Sequence, residues 1–230
     1  MYRQDFCGCK YSLIERISSA KGFVFDADGT LFDTMQFYET VVSDYLRSIG
    51  VEPEPDIRER VRSHTIKECC VILKDRYNLS LSVDEIYDGF DVLIANHYKT
   101  NAPLKDGVKD FLVYARQKGI KLCIATATDD KYIKLCLEAN GVADLFDFVL
   151  TCTGVGASKR ESKVYDESAL HFGLDKKDVV VFEDAEYAIA TAKRAGYRVV
   201  AIEDDSQAKF IDSIKSLCDI YVKSMNELII

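Results

Sequence analysis

Two rhythms of hydrophobic and polar positions divide this chain. Short, nearly continuous apolar runs occur at 23–25, 121–126, 148–151, 179–182 and 198–202, with a shorter one at 219–222. Runs of this length, rich in Val, Ile and Phe, predict strands buried on both faces of a parallel sheet, the last a short edge strand. From residue 104 onward the runs alternate with stretches whose apolar residues recur three and four apart, at 108–118, 130–140, 162–172 and 187–195. These close on Gly119, Gly141, Gly173 and Gly196, residues that favour helix ends. Strands alternating with helices predict an α/β fold, a Rossmann-like parallel sheet with helices on both faces.

Between 35 and 102 the second rhythm stands alone. Phe37, Val41, Tyr45, Leu46 and Ile49 share helical spacing, Gly50 is a plausible stop, and Pro53 and Pro55 mark a turn. Further helices are predicted at 56–62, 66–77 and 83–98, and no strand. The chain therefore reads as an α/β core domain built from 1–34 and 103–230, with an α-helical domain, 35–102, inserted after the first strand. A weak helical pattern at 11–20 leads into that strand.

Composition narrows the function classes. A length of 230 residues is enough for one domain and a substantial insertion. A formal net charge of -8 disfavours non-specific binding to nucleic acid or to anionic membranes. No run reaches the length of a transmembrane helix, and the first residues lack the apolar core of a secretory signal. Of the 8 cysteines, Cys7/Cys9 and Cys69/Cys70 form close pairs without zinc spacing. Cys123 falls in a strand-like run and Cys136 on a helical pattern, ordinary places for small buried thiols. These features predict reduced cysteines and a cytoplasmic protein.

The densest chemistry lies where the first apolar run breaks, in Phe25-Asp26-Ala27-Asp28-Gly29-Thr30. In open α/β sheets, ligands bind at the carboxyl ends of strands. Two aspartates one residue apart repel each other there, so that one tends to stay ionised while the other holds a proton. That division suits Asp26 as a nucleophile and Asp28 as a general acid/base. Gly29 permits a tight turn whose N–H groups can face an anion. The competing reading is a surface turn or a calcium-loop fragment. An EF-hand would need Glu at the twelfth position, which is Phe37.

The stretch Asp26-Ala27-Asp28-Gly29-Thr30-Leu31-Phe32-Asp33-Thr34 resembles the first motif of the haloacid dehalogenase-like (HAD) phosphohydrolases, in the branch containing phosphoglycolate phosphatase and β-phosphoglucomutase. Three later stretches resemble that family's remaining motifs in order. Thr126, at the end of the second strand, matches the second-motif hydroxyl that donates to a phosphoryl oxygen; simple helix capping by Thr126, Thr128 or Asp129 is the alternative. Lys159, after Gly154-Val155-Gly156-Ala157-Ser158, matches the third-motif lysine, a point charge against phosphate and nucleophile. The family usually has proline next, whereas Arg160 follows here, which leaves Arg160 or Lys163 as stand-ins. Adjacent Glu183 and Asp184 end the fourth strand, and two neighbouring carboxylates are costly to hold without a cation. With the helix that follows, they resemble the fourth motif.

By that resemblance the protein is a phosphatase acting on a small phosphorylated metabolite. Asp184 ligates Mg²⁺ directly, Glu183 directly or through water, and Asp26 and the Asp28 carbonyl complete the set. Asp26 takes up the phosphoryl group, and Asp28 protonates the leaving alkoxide and then activates water. The helical insertion resembles a mobile cap that contacts the leaving group. Arg62 and His64, between two predicted helices, are the candidates for its specificity loop. A sugar-phosphate mutase shares every core motif. Such relatives carry a histidine where this chain has Tyr38 and a lysine where it has Asp129. A dehalogenase has no use for Asp28 or a metal, and a phosphonate hydrolase needs a cap lysine with no clear candidate. A non-catalytic binding protein with this fold is the remaining alternative.

Overall fold

The structure is a computed structural model that describes residues 17, 19–61, 64 and 66–229. Most of the weak helical pattern at 11–20, with Cys7 and Cys9, lies outside them. The chain divides into two compact units, one comprising Met1–Asp33 and Pro103–Ile230 and the other Thr34–Ala102.

In chain order the elements are β1 (Gly22–Phe25), α1 (Met35–Ser48), α2 (Ile57–Val61), α3 (Ile66–Tyr77), α4 (Val83–Thr100), α5 (Val108–Gln117), β2 (Lys121–Thr126), α6 (Asp130–Asn140), β3 (Phe148–Thr151), α7 (Cys152–Val155), α8 (Lys163–Phe172), β4 (Val179–Glu183), α9 (Glu186–Arg194), β5 (Arg198–Ile202), α10 (Ile211–Leu217) and β6 (Ile220–Val222). The strands form one six-stranded sheet of order β3-β2-β1-β4-β5-β6, every pair parallel. β1 lies inside the sheet, with Phe25 opposite Ile124 on one side and Phe182 on the other. The carboxyl ends of β2, β1 and β4 therefore emerge side by side.

Successive residues of a strand point to opposite faces, and the sheet uses both. On one face Val24, Cys123, Ala125, Val181 and Val199 pack with Val164, Tyr165, Ala169 and Phe172 of α8 and Ile189 and Ala192 of α9. The other is aromatic. Phe25 stacks on Phe182 with ring centres 4.5 Å apart, and Phe23 stacks on Phe111 of α5 at 5.7 Å. Burying several Phe side chains contributes on the order of 2 kcal/mol each, so this layer is a main source of the rigidity that holds the strand ends in place.

Where the chain leaves β1 and later returns, two short segments run antiparallel. The Asp33 N–H donates to the Pro103 carbonyl at 2.9 Å and the Lys105 N–H to the Leu31 carbonyl at 2.9 Å, with Phe32 opposite Leu104.

Among its described residues the unit Thr34–Ala102 contains the helices α1 to α4 and no strand. Tyr45 of α1 stacks on Phe90 of α4 at 4.3 Å, and a capping box of Ser82 and Glu85 fixes the start of α4. Gly89 lets these helices approach, since a Cβ there would lie 2.5 Å from the Tyr45 ring.

The pattern did not predict α7 or α10. α10, with Ile211, Ile214 and Leu217 three apart, is only seven residues long, too short to establish a period, and α7 is a single four-residue turn. β4 also runs one residue beyond its apolar run. Glu183 is a paired strand residue opposite Ala201, tolerated there because its carboxylate has hydrogen-bond donors inside the protein.

Candidate active site

Asp26 follows β1 directly, and its N–H donates to the Phe182 carbonyl at 2.9 Å. The chain then turns sharply. The N–H groups of Leu31 and Phe32 both donate to the Ala27 carbonyl at 2.9 Å, and Gly29 occupies the left-handed region at φ 81°, where a side chain would be strained. This turn packs Asp26, Asp28 and Thr30 around the strand end.

Lys159 reaches the same point from the loop after α7. Its ammonium donates to Asp26 Oδ1 and, at 2.5 Å, to Glu183 Oε1. Tyr165 of α8 donates to the same Glu183 oxygen at 2.8 Å. Thr30 Oγ1 donates to Asp184 Oδ1 at 3.3 Å. Asp26, Lys159, Glu183 and Asp184 are all buried. The structure therefore brings together Asp26, Lys159, Glu183 and Asp184. Arg160 is not part of the group, because its guanidinium lies over the Tyr187 ring at 4.9 Å.

The charge balance is one-sided. Oxygens of Asp26, Glu183 and Asp184 lie within 4.8 Å of one another, and Lys159 is the cation bonded among them. Three carboxylates and one ammonium sum to -2, which one divalent cation would cancel. Burial pushes the Asp26 carboxyl up to about 7; Lys159 opposes the shift, and Glu183 and Asp28 add to it. Burial and the charges of Asp26, Glu183 and Asp204 push Asp184 well above the carboxylate range. Burial pulls Lys159 down, but Asp26 and Glu183 outweigh it, so its ammonium stays charged. Glu183 Oε2 is buried with no hydrogen-bond partner, and such an atom is costly unless something satisfies it. The acids' hard oxygens, the excess negative charge and this orphaned atom fit Mg²⁺, with Asp26, Glu183 and Asp184 as the residues that would hold it.

Thr126 is buried at the end of β2, where its Oγ1 accepts from the Thr128 N–H at 3.0 Å. Its own hydroxyl hydrogen is not used in that bond. The bonds that Tyr165 and Thr30 make to Glu183 and Asp184 went unforeseen, as did those of two further residues. Thr128 Oγ1 donates to Asp28 Oδ2 at 2.6 Å, although the sequence offered Thr128 only as a cap. Lys105 Nζ donates to the Gly29 carbonyl at 2.8 Å, the Glu203 carbonyl at 2.7 Å and Asp204 Oδ2 at 2.8 Å. It thereby ties the turn after Asp28 to the loop after β5. Of the two specificity-loop candidates, His64 is an exposed residue of the helical unit, and Arg62 lies outside the described residues.

The sequence model of the haloacid dehalogenase-like hydrolase family matches residues 23–202, a span from β1 to the end of β5. The chain belongs to the haloacid dehalogenase-like hydrolases. Among named relatives in the family, (DL)-glycerol-3-phosphatase 1, mitochondrial, of Arabidopsis thaliana is 25% identical over 191 residues, which cover 79% of this chain and 63% of that one. The phosphorylated carbohydrates phosphatase of Thermotoga maritima is 26% identical over 193 residues, covering 80% of this chain and 88% of the relative. A solved structure of a CbbY variant from Rhodobacter sphaeroides, in complex with xylulose-(1,5)bisphosphate, superposes with a TM-score of 0.71 at 19% identity over 89% of this chain and 94% of that one. The parallel six-stranded sheet with helices on both faces is the fold shared with this structural relative. No helix among the described residues is long and apolar enough to cross a membrane.

Proposed function

We propose that this HAD-type enzyme is a Mg²⁺-dependent phosphohydrolase that cleaves a small phosphate monoester, phosphoglycolate-like or sugar-phosphate-like, through a phosphorylated Asp26. The observation that carries this reading is Asp26 itself, a buried carboxylate at the end of an internal strand, held by Lys159 beside Glu183 and Asp184. In the first step Asp26 attacks phosphorus, the bond to the ester oxygen breaks, and Asp28 gives that oxygen its proton. In the second, water attacks the aspartyl-phosphate and Asp28 takes the water's proton. Lys159 and the Thr126 hydroxyl bind the phosphoryl oxygens, whose charge is the main catalytic demand in such transfers. Mg²⁺, when bound by Asp26, Glu183 and Asp184, supplies Lewis-acid stabilisation of that charge. We assign residues 35–102 the role of the family's cap, with Arg62 and His64 selecting the leaving group.

Tyr38 and Asp129 stand where the mutase relatives carry histidine and lysine, and this supports hydrolysis over isomerisation. The relatives named as phosphatases support the same choice. The test is phosphate release from phosphoglycolate, glycerol 3-phosphate, hexose phosphates and nucleoside monophosphates, with and without Mg²⁺, for wild type and Asp26→Asn. The expected result is Mg²⁺-dependent release by wild type alone. Equal release by the variant refutes the role of Asp26, and no release from any ester by wild type refutes the phosphatase reading.

A further inference from the structure

Thr128 sits in the bend between β2 and α6, where a threonine commonly caps the following helix. Its hydroxyl is used otherwise. The N-cap of α6 is Asp129, which makes no side-chain capping bond, while Thr128 Oγ1 donates to Asp28 Oδ2 at 2.6 Å across a separation of 100 residues. Its backbone N–H is bonded to Thr126 Oγ1 at 3.0 Å. A single three-residue turn thus holds the carboxyl of Asp28 and the hydroxyl of Thr126. Asp28, on its own side, is set by the turn around Gly29.

We infer that Thr128 is a positioning residue for the leaving-group proton: its hydroxyl fixes the Asp28 carboxyl in the orientation from which Asp28 protonates the departing oxygen. The inference rests on the phosphatase reading above. Thr128 donates to one carboxyl oxygen of Asp28, Oδ2. As the phosphorus–oxygen bond of the ester breaks, the proton that Asp28 gives as general acid forms an O–H bond on the leaving oxygen, so Asp28 ends as a carboxylate. Thr128 keeps its own hydrogen throughout and donates to Oδ2 before and after the transfer. Without it the carboxyl loses the Thr128 contact that restricts its terminal torsion, and the productive orientation is held less tightly.

This role separates esters by their leaving groups. An alkoxide needs a proton as it departs, whereas a nitrophenolate is stable without one. General acid catalysis contributes about 10²–10⁴-fold where it is needed, and mispositioning forfeits part of that. The experiment measures kcat/KM of the Mg²⁺-loaded protein on p-nitrophenyl phosphate and on the alkyl phosphate turned over fastest in the panel. The proteins are wild type, Thr128→Val, Thr128→Ala, Thr128→Ser and Asp28→Asn. Using kcat/KM keeps the comparison to steps up to leaving-group departure, before the hydrolysis common to both esters.

Thr128→Val and Thr128→Ala are expected to lower the alkyl ester's kcat/KM by about 10- to 100-fold, and the aryl ester's by far less, with Thr128→Ser restoring the alkyl ester to within about 3-fold. An equal loss on both esters shows a merely structural role and overturns the proposal, as does an undiminished alkyl ester. Two variants differing in bulk guard against one failing to fold. Asp28→Asn separates the levels of failure. If it fails to discriminate between the esters, Asp28 is not the acid and the mechanism fails together with the proposal. If Asp28→Asn discriminates and the Thr128 variants do not, only the role of Thr128 is refuted.

Discussion

Replacing Asp26 with Asn should make the metal-free protein gain stability relative to wild type as pH rises. In the native state burial and two neighbouring carboxylates raise the Asp26 carboxyl from 3.8 to about 7. A group raised in this way contributes stability that is fully present below its unfolded value and is lost as pH rises through its folded value. Asp26 thus makes its full contribution below about pH 4 and has lost it above about pH 7. The loss is a shift of about 3 pKa units at about 1.36 kcal/mol each, or on the order of 4 kcal/mol. Asn cannot ionise and escapes it. The assay is urea denaturation of both proteins in EDTA at pH 5 and pH 8. The expected outcome is that the stability of Asp26→Asn relative to wild type rises between the two. A difference that stays constant or falls between pH 5 and pH 8 would mean that the ion pair with Lys159 outweighs desolvation and would refute the raised Asp26 carboxyl.

Two further predictions concern the surroundings of Asp26. Lys105→Met removes a donor shared by Gly29, Glu203 and Asp204; leaving these acceptors unpaired costs about 2–4 kcal/mol. Urea denaturation should show this, together with a lower kcat because the turn after Asp28 is no longer tied down. Mg²⁺ should raise the wild-type Tm by mass action and have a much smaller effect on Asp184→Asn, since that variant loses one of the three clustered carboxylates. Equal shifts in both would remove Asp184 from the metal site.

Strand positions were the most legible part of the sequence. β2, β3 and β5 begin and end where their apolar runs do; β2 and β5 are buried along nearly their whole length, and β3, at the edge of the sheet, is half-buried throughout. Glu183 marks the limit of that reasoning. It belongs to β4, and only Lys159 and Tyr165, from other parts of the chain, make a carboxylate acceptable there. α10 was illegible for a different reason, since its seven residues are too few to establish a helical period. At the site, the residues that follow strand ends could be anticipated, as Asp26 and Asp184 were. Lys105 and Thr128 could not, because their partners lie 76 and 100 residues away. A hydroxyl that bonds across the fold looks, in sequence, like one that caps the next helix. Lys159 followed by Arg160 was ambiguous until the ammonium was placed on Asp26.

The paired segments around Leu31–Asp33 and Pro103–Lys105 have a consequence for how this chain can vary. Hydrogen bonds join the exit and re-entry points, so the chain leaves and rejoins the sheet's unit as the two strands of a hairpin do, through a clasped neck. Closing such a neck costs entropy that grows only with the logarithm of the enclosed length, about 0.6 kcal/mol for each doubling. The sheet is therefore nearly indifferent to how much chain the neck encloses. Residues beyond it can be lengthened, shortened or exchanged while the registers that align Asp26, Thr126 and Glu183 stay as they are. With residues 34–102 in the proposed cap role, selection for a new leaving group and selection for the phosphoryl chemistry act on different stretches of one polypeptide.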